Sequence, residues 1–463
     1  MNENFSAIIL AAGEGSRMMS SKSKLLHEVQ GKPVIQHVME ACHKAKVDHI
    51  IMVVGKNYRL IKALIKKEFD GKLKVHYVLQ QERLGTGHAI SVALKSNEPL
   101  RENVLIMSGD VPFLTAKTID GLKKTFTKKK VDGIIGVSKV KKPFGYGRII
   151  KDKSGFVIKI VEEKDAGREE KVIKEVNGGI YIFRRKDLED FIPRIPLNKK
   201  KKEYYLTDIV KKMSKNGRKL LPRRISFNEV LGINTRVELT SAGKMKNSKV
   251  LEHLAKEGVT IVDFNTTFIE GEVTIGKDTI IYPFTIIKGK TIIGKSCKIG
   301  PSTNLKDAVL GERVEVVNSH IRDSRVLSGS TIGPFSNIRP GTVVGEKCKI
   351  GNYVELKNSM IGSFTKISHL SYIGDAEIGE NSNIGAATIT CNFDGVKKYR
   401  TTIGKNVFVG SGTKFVAPVK IGDNAVISDG STITEDVPPF SLATSRGKQE
   451  TKKNWVLKRR KKK

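Results

Sequence analysis

From residue 269 onward an apolar side chain returns at every sixth position. Ile269, Ile275, Ile281, Ile287, Ile293, Ile299 and Leu305 form an unbroken run. The register resumes at Ile332, Ile338, Val344, Ile350 and Leu356, again at Ile361, Ile367 and Ile373, and last from Ile403 through Val409, Phe415, Ile421 and Ile427 to Ile433. A helix repeats at 3.6 residues and a half-exposed strand at 2, so a period of six belongs to neither. It fits a hexapeptide repeat: three faces to a coil, each apolar residue pointing inward. Glycine often follows the apolar residue, as in Ile275-Gly276, Ile293-Gly294 and Ile421-Gly422, and is expected to relieve the corner. The pattern predicts a parallel β-solenoid.

The first half lacks this period. Up to about residue 227 short apolar runs, Ala7–Leu10, Ile50–Val54, Val75–Leu79 and Val104–Met107, alternate with amphipathic stretches. That alternation predicts βα units on a mostly parallel sheet, a Rossmann-like α/β domain. Between the halves, 235–257 carries Val237, Leu239, Met245, Val250, Leu251 and Leu254 among polar residues with one glycine, and reads as a helical arm. The expected organisation is residues 1–234, 235–257 and 258–463, the last ending in a basic tail. A chain of 463 residues is long enough for two or three separate cores.

Composition changes this picture little. The four cysteines at 42, 297, 348 and 391 show no CxxC and no close Cys/His spacing, so neither a disulfide framework nor a zinc site is expected; a reducing, cytoplasmic setting is. The apolar run 7–12 is too short for a secretory leader and follows Glu3, and no stretch approaches the length of a membrane span. The net charge of +35, from 83 Lys plus Arg, would suit a nucleic-acid binder. Yet lysine dominates, is scattered through both halves, and bunches only at 128–130, 199–202 and 458–463; aromatics are 6% and do not interleave with it. Nucleic acid is therefore not an expected partner, although a cationic surface helps anionic substrates approach.

Candidate chemistry begins where the first strand runs into Gly13-Glu14-Gly15-Ser16-Arg17-Met18, followed by Lys24. No Gly-Lys-Ser/Thr follows, which excludes a Walker A loop, and Met18 replaces the third glycine of a dinucleotide fingerprint. Gly-x-Gly-x-Arg with a following lysine places two cations for a triphosphate, though a plain strand-to-helix turn would also use such glycines. A second small-residue loop, Gln80 to Ala89, opens a helix with groups able to read a base edge. Ser108-Gly109-Asp110-Val111-Pro112 ends a buried strand; Asp110 there suits a magnesium ion or, equally, a turn or N-cap.

Together, Leu-Ala-Ala-Gly-x-Gly-Ser-Arg-Met, Lys-Leu-Leu-His, Leu-Gly-Thr-Gly-His-Ala and Gly-Asp-Val-Pro resemble the sugar-1-phosphate nucleotidyltransferases. With Gly145–Ile149, Glu162, Asn177 and Glu203–Asp208, the chain is most similar to the bacterial family that combines N-acetylglucosamine-1-phosphate uridyltransferase with glucosamine-1-phosphate acetyltransferase. The resemblance covers nearly the whole chain. It implies that Leu10, Ala11, Ala12, Gly13, Gln80, Gly85 and Thr86 hold the uridine of UTP, with Ser108 and Gly109 beside them. Arg17 and Lys24 would face phosphates, Gly147, Glu162 and Asn177 the sugar, and Asp110 with Asn234 a Mg²⁺ ion. It also implies a homotrimer with a left-handed coil.

In the solenoid, Arg339, Lys357, His369, Tyr372 and Asn383 fall between the six-spaced positions. His369 comes two residues after inward Ile367, unlike a core histidine. The nineteen-residue gap from Ile384 to Ile403 holds the polar string 391–400, read as a loop leaving the coil. The resemblance assigns Arg339, Lys357, Tyr372 and Asn383 to glucosamine-1-phosphate, and Ala386, Asn392, Phe393, Ser411, Asp429 and Arg446 to acetyl-CoA. It makes His369 the general base, a role an imidazole suits. Here the chain departs from the family pattern: Ala387 replaces glycine, Phe393 tyrosine, and Asp429 a small residue, while Ser23 stands where proline precedes Lys24. The competing expectation is a single-activity nucleotidyltransferase whose solenoid only oligomerises it.

Overall fold

The computed structural model describes residues 4–56, 58–199 and 201–460. Lys200 and the last three lysines of the terminal basic run lie outside the described residues. The chain forms two compact units, Met1–Lys244 and Met245–Lys463.

The first unit is built on a twisted sheet. Across it run Leu220–Arg224, Gly133–Lys139, Glu175–Arg184, Asn103–Ser108, Phe5–Ala11, His49–Val54 and Lys74–Leu79. Pairing is parallel except at Glu175–Arg184, which runs antiparallel to both neighbours. Phe5–Ala11, His49–Val54 and Asn103–Ser108 are apolar nearly throughout and buried on both faces, as parallel strands between helices must be. The order of strands reverses beside Phe5–Ala11: one neighbour, His49–Val54, follows it directly, and the other, Asn103–Ser108, returns across the sheet. Loops at the carboxyl ends of such strands border a crevice. Both glycine loops, the one after Ala11 and the one opening the helix Thr86–Leu94, lie at that end.

A helix spans Arg236–Lys256. In the first unit Arg236 Nε donates to the Met18 carbonyl (3.2 Å). In the second, Leu251 and Leu254 join the solenoid core, and Asn247 is tied to the Thr267 carbonyl and the Ile269 amide (2.8 and 3.0 Å).

The second unit is a three-faced parallel coil. One column of inward residues runs Ile281, Ile299, Val316, Ile332, Ile350, Ile367, Ile384, Val409 and Ile427, each opposite the next. The other two run from Ile269 and from Ile275 in the same way. Each buried Ile or Val stabilises by about 1.5–3 kcal/mol relative to exposure. The six-residue period fades between Leu305 and Ile332, but the columns do not: Leu310, Val316, Ile321 and Val326 occupy them, with one residue fewer at some corners.

Two features refine the sequence expectation. Among the glycines that directly follow inward residues, Gly300 and Gly333 take φ 105° and 104°, as corner relief requires, but others serve close packing. A Cβ on Gly276 would lie 2.6 Å from the Lys295 amide nitrogen, and one on Gly362 2.5 Å from that of Glu380, so the next coil excludes it. The left-handed conformation falls instead on the third residue after the inward one, Asp278, Ser296, Arg313, Lys347 and Asn381 among them. Second, small polar residues two positions before the inward ones bond from coil to coil. Thr279 Oγ1 donates to the Gly294 carbonyl (2.9 Å) and accepts from the Cys297 amide (3.1 Å); Ser330 links Gly345 and Cys348 likewise (2.7 and 2.9 Å). Cys297 and Cys348 occupy this ladder, where burial raises their thiol pKa values; Cys42, fully buried, is pushed up to about 12. These thiols are packing groups.

Candidate functional site

The crevice of the first unit is a cleft of about 660 Å³. Leu10, Ala11, Ala12, Gly13, Arg17, Lys24, Gln80, Gly85, Thr86, Ser108, Glu162 and Asn177 line it, which brings most of the sequence-derived candidates together. Gly109 lies beneath, its amide donating to the Leu10 carbonyl (2.9 Å). Gly147 supports Asn177 by accepting its amide (2.8 Å).

The glycine loop is shaped by Lys24. Gly15 takes φ 66°, and a Cβ there would lie 2.9 Å from Lys24 Cβ. Lys24 starts a short 3₁₀ turn, Lys24–Leu26, capped by Ser23, whose Oγ accepts from the Leu25 amide (3.4 Å). Serine at this position therefore holds the turn that aims the lysine. Lys24 Nζ forms an ion pair with Asp110 Oδ2 and donates to Asn234 Oδ1 (3.0 Å). Asp110 also accepts from Ser108 Oγ at 2.6 Å, and its backbone carbonyl accepts the Ile233 amide (3.0 Å). Asp110 is thus not a helix cap: its carboxylate and the Asn234 amide oxygen converge on one cation. Oxygen donors sharing a cationic point are the set a hard dication takes.

The second loop closes over a wall formed by the segment 203–207. Gln80 is buried and donates to the Gly85 carbonyl (3.2 Å) while contacting His88 Nδ1 (3.1 Å). Gly85 takes φ 94°, and a Cβ on it would lie 2.7 Å from the Tyr204 carbonyl. Thr86 Oγ1 accepts from the Leu206 amide (3.0 Å). Tyr205, Leu206, Thr207, Arg83 and Tyr181 consequently join the lining. Arg83 forms an ion pair with Glu14 across the two loops.

At the other end, Glu162 accepts from Thr207 Oγ1 (2.8 Å). Burial raises the Glu162 pKa, Thr207's hydrogen bond opposes, and the Asp208 and Asp165 carboxylates raise it further. Asn177 Nδ2 donates to the Tyr181 hydroxyl (2.6 Å), and its Oδ1 accepts the Gly179 amide (3.1 Å). A carboxylate and a carboxamide facing one cleft end suit a polyhydroxylated ligand.

In the second unit the candidates form two strips on successive coils. Lys357, His369 and Tyr372 lie on Lys349–Lys357 and Lys366–Gly374, which pair directly; Asn383 pairs with Lys366 on the next coil. Arg339 Nη1 donates to Glu355 Oε1 (2.7 Å), and Glu355 stands opposite Tyr372. Asp375, which no motif marked, is the hub of the first strip. It accepts from Asn358 (2.6 Å) and from Asn392, and faces Lys357 at 3.9 Å. Burial raises its pKa, but these amides and the Lys357 and Lys398 charges outweigh it and hold the carboxyl below its usual range. The neighbouring Lys357 ammonium lowers the Lys398 pKa in turn. Two crowded ammonium groups form a seat for an anion.

His369 is exposed on the coil, its backbone carbonyl accepting from Ser371 Oγ (2.8 Å). Residues 392–400 do leave the wall: Ile384 and Val409, opposite one another, are separated by 25 residues, and the excursion folds back with Phe393 bridging Lys398. Phe393 is exposed. The second strip is Ala386, Ser411, Asp429 and Arg446. The Ala386 carbonyl accepts the Gly412 amide (2.7 Å), Asp429 Oδ1 the Ser411 amide (2.6 Å), and Arg446 Nη1 donates to the Asp429 carbonyl (3.2 Å). Asp429 therefore spends one carboxylate oxygen on the backbone of the preceding coil and brings an arginine beside it. Ala387 adopts φ 59°, a conformation glycine takes without strain.

Comparison with known proteins agrees with both halves. Residues 6–225 match the nucleotidyl transferase family, 400–435 the bacterial transferase hexapeptide (six repeats), and 323–407 the GMPPB C-terminal domain. The chain is 44% identical over 454 residues to the bifunctional protein GlmU of Acetivibrio thermocellus, covering 98% of this chain and 97% of that one. It is 45% identical to the protein of the same name from Pseudothermotoga lettingae (98% and 99% covered) and 44% to that from Carboxydothermus hydrogenoformans (97% and 99%). With similarity of this depth running end to end through both the cleft and the coils, the chain belongs to the bifunctional GlmU family.

Proposed function

We propose that the cleft and the coils divide between them the two reactions of a bifunctional transferase in UDP-N-acetylglucosamine synthesis, residues 1–234 transferring uridylyl from UTP to N-acetylglucosamine-1-phosphate and 258–463 acetylating glucosamine-1-phosphate, with 235–257 as the arm. The observation that carries this reading is the pair of chemically distinct sites, a nucleotide-sized cleft with converging cations and a cationic strip with an exposed imidazole.

In the cleft, the sugar phosphate is already an anionic nucleophile, so no general base is needed. Catalysis is positioning and charge neutralisation while pyrophosphate leaves. The amides around Gln80 and Gly85 read the base, Arg17 and Lys24 meet phosphate oxygens, and Glu162 with Asn177 orients the sugar. Asp110 and Asn234 would hold Mg²⁺, their oxygens already converging on the Lys24 ammonium. When bound, Mg²⁺ neutralises phosphate charge.

On the coils, the glucosamine ammonium loses a proton to His369, and the freed amine attacks the thioester carbon of acetyl-CoA. As the carbon–sulfur bond breaks, the nitrogen's second proton passes to the departing sulfur, releasing the coenzyme A thiol. Lys357 with Arg339 seats the phosphate, and Tyr372 and Asn383 frame the sugar. Asn392 braces the loop through Asp375, while Ala386, Phe393, Ser411, Asp429 and Arg446 line the coenzyme's path. A homotrimer is supported by one exposed corner of the coil. Phe284, Phe335, Tyr353 and Leu370 each stand three residues after an inward residue of one column, all more than half exposed, and the Phe335 and Tyr353 rings stack at 5.4 Å. Such an apolar ridge favours association about a closed axis.

One assay tests the whole reading. Glucosamine-1-phosphate, acetyl-CoA, UTP and Mg²⁺ are supplied together, and thiol and pyrophosphate are followed separately. Both should appear, and pyrophosphate should wait on thiol release. A single product would leave only one of the two sites active.

A further inference from the structure

At the opposite end of the sheet from the nucleotide cleft, three side chains from distant parts of the first unit meet. His49 opens the strand His49–Val54, His76 sits in its parallel neighbour Lys74–Leu79, and Glu98 lies in the loop after the helix Thr86–Leu94. The Nε2 atoms of His49 and His76 stand 3.4 and 3.2 Å from the same oxygen, Glu98 Oε1. The ligand atoms of all three lie within 4.8 Å of one another.

These separations have a chemical meaning. Hydrogen bonds from an ionised donor to a carboxylate are commonly 2.7–2.9 Å, so both contacts are longer than a charged imidazole would make. Two ligands held at 2.0–2.1 Å in a tetrahedral shell stand about 3.4 Å apart, close to the distance of each imidazole from Glu98 Oε1. The outer partner is also in place. Ser6 Oγ lies 2.8 Å from His49 Nδ1 and accepts the Arg101 backbone amide (2.8 Å). Ser6 thus occupies Nδ1, and Nε2 is the His49 nitrogen that faces Glu98 and the open side. Arg101, whose charge acts on His49, is paired: its guanidinium donates to Asp48 Oδ1 (2.8 Å) and to the Phe5 carbonyl (3.2 Å). His49 is 8% exposed and His76 and Glu98 each 37%, so the site is anchored on one side and open to entry on the other.

We propose that His49, His76 and Glu98 bind a borderline transition-metal dication, zinc foremost, at the amino-terminal edge of the sheet. Two imidazoles and one carboxylate select such an ion over magnesium. The site is separate from the Asp110–Asn234 oxygens and independent of the reactions assigned above.

The test is calorimetric titration of the tag-free full chain with Zn²⁺ at neutral pH in millimolar Mg²⁺, repeated on His76→Ala and Glu98→Gln. One zinc should bind the wild type with a Kd unaffected by the magnesium, and each variant should weaken it at least tenfold. Zinc should raise the melting temperature of the first unit in the wild type and not in the variants. Both variants should keep wild-type pyrophosphate release without added zinc, which shows that they fold. Absence of a stoichiometric zinc site in the wild type, or affinity in His76→Ala within twofold of it, overturns the proposal.

Discussion

Lys24 and Asp110, 86 residues apart in sequence, form an ion pair with side chains only 12% and 11% exposed, one carried by the glycine loop and the other by the end of the neighbouring strand. The pair joins the two segments that meet at the reversal of strand order, so the cation and the carboxylate that the proposed function gives to phosphate and to Mg²⁺ are positioned by one contact. Lys24→Ala and Asp110→Asn should each lower pyrophosphate release by about 10²–10³-fold, the usual effect of removing one positioned charge. Thiol release should persist in both, because its residues belong to the other unit. Loss of both activities in a variant with wild-type circular dichroism would contradict the division of labour.

Under the proposed function, Glu162 links sugar binding to pH. Burial and the Asp208 and Asp165 carboxylates hold its native pKa above the ordinary value, against Thr207's hydrogen bond. Below the ordinary value it is protonated in both folded and unfolded chains. As pH rises, the unfolded chain ionises first and the native carboxyl resists, so stability falls up to the raised native pKa. Glu162→Gln removes that fall: relative to wild type, its melting temperature should rise between pH 4 and pH 8. Its kcat/KM for the sugar phosphate should drop about 10–100-fold, as for loss of a charged hydrogen bond.

His369→Ala should abolish most acetyl transfer, by about 10²–10⁴-fold, and spare uridyl transfer when N-acetylglucosamine-1-phosphate is supplied. The imidazole is exposed, so no cavity forms and the melting temperature should stay unchanged. Acetylation by the variant at the wild-type rate would remove the histidine from the mechanism.

Backbone strain gives an opposed pair of substitutions. Ala387 holds φ 59°, which costs an L-residue about 1–2 kcal/mol, partly offset by glycine's greater unfolded freedom. Ala387→Gly should therefore stabilise the solenoid by about 0.5–1 kcal/mol. Gly362→Ala should destabilise it by about 1–3 kcal/mol, since its Cβ would press on the backbone of the next coil. Calorimetry resolving the solenoid transition reads both.

The solenoid was legible because inward position and sequence period coincide. It was lost between Leu305 and Ile332 because a corner can shed a residue without moving the column. The antiparallel strand Glu175–Arg184 carries an apolar run no different from those of its parallel neighbours, so its direction could not be read. The glycine loops announced themselves through local spacing. Tyr205 to Thr207 lie in a motif that carried the resemblance, but their place in the cleft wall did not show, because it comes from a contact with Thr86 120 residues away. Asp375, His49, His76 and Glu98 are isolated in sequence and acquire chemistry only from tertiary contacts.

The 25-residue coil between Ile384 and Val409 also bears on how such an enzyme is assembled. Every strand of the solenoid finds its partner one turn along the chain, and closing a turn of 25 residues rather than 18 adds only about 0.3 kcal/mol of chain entropy. Contacts so local favour growth turn by turn from any starting point, without a search for remote partners. A functional excursion can thus be spliced into one rung while the rungs on either side still zip in register. The architecture separates the demands of reaching a substrate from those of folding.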